Sequence, residues 1–116
     1  MSGLGIVTAL AAESRTLGLA PADARLATLP DGTRVAVSGV GRAAAADGAR
    51  RLIESGATAL ISWGMAGGLD PVLRAGALLL PGEVISAEGE RFQTAREWRA
   101  CLARAIAAEH TVSDGA

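Results

Sequence analysis

Residues 57–71 read ATALISWGMAGGLDP. An apolar run reaches Trp63 and stops at Gly64. Met65 and Ala66 follow, then Gly67-Gly68, and Asp70-Pro71 closes the stretch. The first half has the pattern of a buried strand. The second half is almost bare backbone. Small residues directly after a strand let a ligand approach the main chain closely. Exposed N–H groups in such a turn can hold an anion or a hydroxyl-rich sugar. The same residues also fit a tight turn into a loop closed by Asp70-Pro71. No Gly-Lys-Ser/Thr follows, so the stretch is not a P-loop.

Working outward, LGIVTAL (Leu4 to Leu10) reads as a first buried strand, with β-branched Ile6 and Val7. AAESRTLGL then favours a short helix, closed by Gly18 and Pro21. ADARLATLPDGTRVAVSGVG holds two strand-like runs around Pro30-Asp31-Gly32, a strong hairpin signal. From Arg42 to Ser55 the pattern is helical, with Ala46, Ala49, Leu52 and Ile53 on one face and Gly56 just past the end. AGALLLPGEVISAEG gives one or two further strands, interrupted at Pro81-Gly82. TAREWRACLARAIAAEH is helical, with Thr94 and Glu97 at capping-box spacing and Trp98, Leu102 and Ile106 on one face. The final EHTVSDGA enters another strand. Apolar strands alternating with helices predict an α/β fold, a mixed, mostly parallel sheet covered on both faces.

In such sheets ligands sit outside the carboxyl ends of the strands. That rule selects Ala9 to Glu13, Gly39 to Arg42 and Gly64 to Leu69. SGVGRAAA reads G-x-G-x-x-A between a strand and a helix, the loose form of a dinucleotide-binding turn. A Rossmann unit wants an acidic residue about 20 residues on, and the next strand ends in Ser62-Trp63-Gly64. A tight strand-to-helix turn is the competing reading. Glu13 opens a helix, where a carboxylate favours the helix dipole. It is also a candidate base at a cleft rim, its pKa raised by apolar neighbours. Arg42 and Arg74 are candidate phosphate ligands or simply solvated charges.

Composition excludes several classes. The 116 residues suit one domain, half of them hydrophobic, with 11 basic and 12 acidic side chains. Basic residues are neither in excess nor clustered with aromatics, so no nucleic-acid footprint is expected. The single cysteine, Cys101, makes no internal disulfide and fits a reducing, cytoplasmic setting; in an Ala-rich helix it reads as a small buried hydrophobe. No signal peptide or membrane span is expected. His110 has no Cys or second His at ligand spacing, so no metal is expected. Trp63 and Trp98 read as core or interface residues.

Three motifs in order, GIVTALAAE, VAVSGVGRAAAADGARRLI and ALISWGMAGGLDPVLRAGALLLPGEVI, resemble the nucleoside phosphorylase and nucleosidase family. That family includes purine nucleoside phosphorylases, uridine phosphorylases and methylthioadenosine/S-adenosylhomocysteine nucleosidases. WGMAGGLDPVLRAGALLLP with the later FQT and Trp98 looks most like the hopanoid-associated phosphorylase branch, thought to remove adenine from adenosylhopane. The resemblance implies cleavage of a ribonucleoside C1′–N bond through an oxocarbenium-like cation, attacked by water or phosphate, without metal or organic cofactor. By the same resemblance Glu13 is the catalytic glutamate that orients or deprotonates the nucleophile. Ala9 and Leu10 line that end of the cleft, Val40 contacts the 5′ substituent, and Met65, Ala66, Gly67 and Gly68 form the loop beside ribose and base.

Two departures from the family pattern matter. Met65 stands where many relatives carry a Ser or Thr that binds phosphate or water, which makes the pocket more apolar and suits a lipid-linked nucleoside. The family fold also needs roughly twice this length, within the single-domain size range. Its ribose-gripping glutamate and purine-protonating acid have no counterpart here. The expectation is therefore residues 1–116 as one domain, the N-terminal half of such an enzyme and apparently truncated, forming homo-oligomers. The alternatives are an inactive fragment that binds a nucleoside or a partner, and a Rossmann-type nucleotide-binding module.

Overall fold

A computed structural model describes residues 3–19, 26–107 and 112–113. The chain divides into two compact units, Met1–Ala66 and Gly67–Ala116. Expected features at Pro21, at residues 22–25 and at His110 lie outside the described residues.

The first unit contains β1 (Leu4–Thr8), α1 (Ala11–Arg15), β2 (Leu26–Thr28), β3 (Arg34–Val37), α2 (Arg42–Glu54) and β4 (Ala59–Ser62). Its four strands form one sheet in the order β2-β3-β1-β4. β1 pairs in parallel with both β3 and β4, and β2 is antiparallel to β3. This is the mostly parallel α/β sheet flanked by helices that the alternation predicts. The expected hairpin is present, because the residues between its strands favour a reversal. Leu29 N–H donates to Thr33 O, Asp31 Oδ1 accepts the Thr33 N–H at 2.9 Å, and Gly32 has φ of 92°.

The two sheet faces are built differently. On one, α2 lies close because glycine occupies the contact points. A Cβ on Gly48 would stand 3.0 Å from the Ser38 Cβ, and one on Gly5 would stand 3.2 Å from the Cβ atoms of Ala57 and Leu52. On the other, Ile6, Val35 and Ile61 share one row of the register, and alternation puts Thr8 on that same face, where its hydroxyl meets Glu13 of α1. The buried apolar core of this unit is small: Ile6, Val35, Ala36 and Leu52. Arg34 donates to Ser55 O at the carboxyl end of α2, where a cation opposes the helix dipole.

β4 differs from expectation. It was expected to be buried throughout, yet its residues alternate and Leu60 is 41% exposed. The strand ends the sheet order, with β1 as its neighbour in the sheet, so one row of its side chains is left uncovered.

The second unit contains β5 (Leu78–Leu79), β6 (Glu83–Ile85), β7 (Arg91–Gln93), α3 (Arg96–Ala107) and β8 (Val112–Ser113). β5 and β8 pair in parallel, so the strand expected in the last residues is present. The run after Gly76 gives two strands, separated at Pro81-Gly82. β6 and β7 form an antiparallel hairpin that the sequence pattern did not announce. Its turn runs Ser86 to Glu90, with Gly89 at φ 84°.

α3 corrects two expectations. Thr94 does not cap it: the Thr94 hydroxyl donates to Pro81 O at 2.7 Å, and the first helical bond runs from Arg99 N–H to Ala95 O. Cys101 is exposed rather than buried. None of the helix residues is fully buried, although Leu102 and Ile106 are partly covered on the expected face and Trp98 is 41% exposed.

With so small a core, one large side chain carries much of the first unit. Leu52 is fully buried where α2 meets the sheet. Leu52→Ala is expected to destabilise the unit by about 2–5 kcal/mol. Urea unfolding followed by circular dichroism checks this; a cost below about 1 kcal/mol would show that α2 does not depend on that contact.

Candidate functional site

The register brings three strand ends to one edge of the sheet. Thr8 is level with Val37, and Val7 with Ser62. Backbone bonds extend the pairing past the strands: Ser38 N–H to Thr8 O at 2.8 Å, Gly39 N–H to Ala9 O at 3.0 Å, and Trp63 N–H to Val7 O at 2.9 Å. Ala9, Leu10, Glu13, Val40, Met65 and Ala66 therefore leave the same edge within the first unit.

Glu13 is the centre of this edge. It is the third residue of α1 and is only 7% exposed. Oε1 accepts the Leu10 N–H at 3.0 Å and the Thr8 hydroxyl at 3.3 Å. Oε2 accepts the Met65 N–H at 2.7 Å, joining residues 52 apart in the chain. One carboxylate thus ties the end of β1, the start of α1 and the exit of β4.

These bonds reverse the expected titration. Burial pushes the Glu13 pKa up, but the Met65 N–H bond, with help from Leu10, Ala9 and Thr8, outweighs it. The carboxyl is held below its ordinary value of 4.5. Glu13 is accordingly ionised at neutral pH. The dipole reading also holds, since the acid lies in the first turn of α1.

The rim is apolar. Val40 is 77% and Met65 75% exposed, and Leu10 is exposed as well. Val40 sits between Gly39 (φ 87°) and Gly41 (φ 110°), so both glycines of the G-x-G turn are required by backbone shape alone. Arg42 is the first residue of α2 and is exposed.

Gly67, Gly68 and Arg74 belong to the second unit. Asp70 organises their loop as an Asx turn, its Oδ1 accepting the Val72 N–H at 2.9 Å. A Cβ on Gly67 would meet nothing within 4 Å, and one on Gly68 would make ordinary contact with Leu73 at 3.5 Å. Neither has a positive φ. The described packing does not demand this glycine pair. Among the described residues no three His, Cys, Asp or Glu side chains cluster to hold a metal, and no helix is long and apolar enough to cross a membrane.

A family model described as the phosphorylase superfamily matches residues 27–113. The chain belongs to that superfamily. No curated protein and no solved structure matches it. The matched span of this phosphorylase-superfamily chain begins in β2, so it contains the SGVGR turn, the GMAGG loop and Arg74, while Glu13 lies before it. Membership supports cleavage of a nucleoside glycosidic bond as the general reaction class, with a small nucleoside as substrate. Sequence reasoning missed Thr8, a hydroxyl within an apolar run at the strand end, whose position was the available signal.

The lowered pKa makes a stability prediction. Ionised Glu13 stabilises the fold fully above about pH 4.5, and that contribution is lost as pH falls through the lower folded value. Glu13→Gln keeps the shape but turns an amide donor toward other donors. It is expected to cost about 1–3 kcal/mol at pH 7 and to flatten the fall of the melting temperature as pH drops below the ordinary carboxyl value of 4.5. An acid limb identical in both proteins would refute the assignment.

Proposed function

We propose that the chain is the N-terminal part of an enzyme that cleaves the N-glycosidic bond of an adenosine-type purine ribonucleoside. Adenosylhopane is the preferred candidate substrate, and adenine the released base. The observation that carries the reading is the ionised Glu13 carboxylate, buried at the carboxyl edge of the sheet beside the exposed apolar side chains of Leu10 and Met65.

The chemistry follows from charge. Breaking the C1′–N bond leaves positive charge on the sugar, and a fixed carboxylate close to the sugar favours that state. A carboxyl held below its ordinary pKa is a weak base. Its role is to orient the nucleophile and balance charge rather than to remove a proton. Met65 has no hydroxyl for phosphate or water, so its backbone N–H, already committed to Glu13, is its polar contribution. Its thioether, with Leu10 and Val40, suits an apolar 5′ substituent. Ala9 and Ala66 leave room for the ribose and base, and Arg42 would meet phosphate if phosphate is the nucleophile. The protein is taken to act in the cytoplasm as a homo-oligomer.

Glu13, Leu10, Val40 and Met65 supply binding and charge balance but no acid to protonate the purine, so in this proposal binding and turnover separate. Isothermal titration of the 116-residue chain with 5′-methylthioadenosine is expected to show binding that Glu13→Gln weakens. Adenine release, followed by chromatography with and without inorganic phosphate, should stay at background. Robust release by this chain would overturn the half-enzyme assignment. Failure to bind any adenosine-type nucleoside, with tight NADH binding instead, would favour a nucleotide-binding module.

A further inference from the structure

The exit of β4 grips Glu13 at two separate points. The first is the side chain. Oε2 accepts the Met65 N–H, and to do so the carboxylate lies directly against Gly64. A Cβ on Gly64 would stand 2.9 Å from the Glu13 Cδ and 3.2 Å from Oε1, and closer still to Oε2. Real Cβ atoms do not approach that closely, so any side chain at 64 displaces the carboxylate. Gly64 does not have a positive φ, so backbone shape does not account for it.

The second point is the main chain. The Trp63 indole Nε1–H donates to Thr16 Oγ1 at 2.8 Å, and the Thr16 hydroxyl donates in turn to the Glu13 carbonyl at 2.6 Å. Trp63 is 40% exposed, so apolar burial alone does not explain an indole there. Its donor is spent on the residue that closes α1. Trp63, Gly64 and Met65 are consecutive, so one short segment fixes the Glu13 carboxylate and the Glu13 backbone together.

We propose that Trp63 and Gly64 are positioning residues for Glu13, Gly64 by leaving space for the carboxylate on the Met65 N–H and Trp63 by anchoring the Glu13 backbone through Thr16. The proposal rests on the reading of Glu13 as a site residue. What the pair controls is the direction of the remaining Oε2 lone pair and the strength of the Met65 bond. Removing the space should break that bond outright. Removing the indole donor should loosen it while leaving the space intact.

The test reads Glu13 and Met65 directly, without substrate. Amide hydrogen exchange of Met65 and the pH titration of the Glu13 carboxyl carbon are followed by NMR in the 116-residue chain and three variants. Gly64→Ala is expected to raise Met65 exchange at least tenfold and to return the Glu13 titration toward its ordinary value. Trp63→Phe, which keeps a ring but not the donor, should raise Met65 exchange several-fold. Thr8→Val removes a bond to the other oxygen and should leave Met65 exchange unchanged, which separates local positioning from general loosening. Protection at Ile6 and Val35 reports that the sheet remains folded. Folded Gly64→Ala with unchanged Met65 exchange and Glu13 titration would overturn the role of Gly64. An unchanged Trp63→Phe would overturn that of Trp63, and it decides the question if Gly64→Ala does not fold. A chain with the expected NMR behaviour that binds no nucleoside would count against the proposed function and not against this positioning.

Discussion

The Met65 N–H to Glu13 Oε2 bond is the contact on which the first unit's carboxyl edge depends. A buried carboxylate is costly unless its oxygens are satisfied. Here the donors come from the end of β1, the start of α1 and the exit of β4. The requirement therefore works in both directions. The ionised group needs all three elements in place, and each element has a backbone or hydroxyl donor that needs the group. A sheet with so few fully buried apolar residues gains from such a polar tie at its edge.

The same arrangement sets what the edge can do. A carboxylate that is ionised, fixed and flanked by exposed apolar side chains is suited to hold positive charge in a partly dry setting. Mobility in α1 would blur that field. The helix is one turn long, and its carboxyl end is closed by Thr16. Its stability comes from its contacts rather than from its length. Membership of the phosphorylase superfamily rests on residues 27–113, downstream of Glu13. Met65 lies within the matched span and Glu13 outside it.

Much of the fold was legible because its signals are local. β-branched runs marked β1 and β3, Pro30-Asp31-Gly32 marked the hairpin, and Leu52 fell on the expected face of α2, although Ala46 and Ile53 of that face are exposed and Gly48 is buried instead. The hairpin of β6 and β7 was not legible, since its strands are three residues each and carry Glu83, Arg91 and Gln93 instead of a clean alternation. Thr94 had the right spacing for a cap, but its hydroxyl found Pro81 O. Cys101 was judged by its Ala-rich surroundings, which lie on a helix with no fully buried residue. Glu13 was legible as a candidate, but its titration was not. The decisive donor is Met65, and no local pattern reveals a contact across 52 residues. The use of Gly64 was hidden for the same reason. Its neighbour in space, and not its place in a glycine-rich string, explains it.

The turn around Val40 has a different consequence. Gly39 and Gly41 carry the unusual backbone angles, and the Val40 side chain between them stands out in solvent. The loop's shape is therefore independent of what stands at position 40. A protein built this way can exchange one exposed side chain at the sheet's carboxyl edge without rebuilding the turn that presents it. Position 40 is a place where related chains can diverge in what they admit while keeping a common frame.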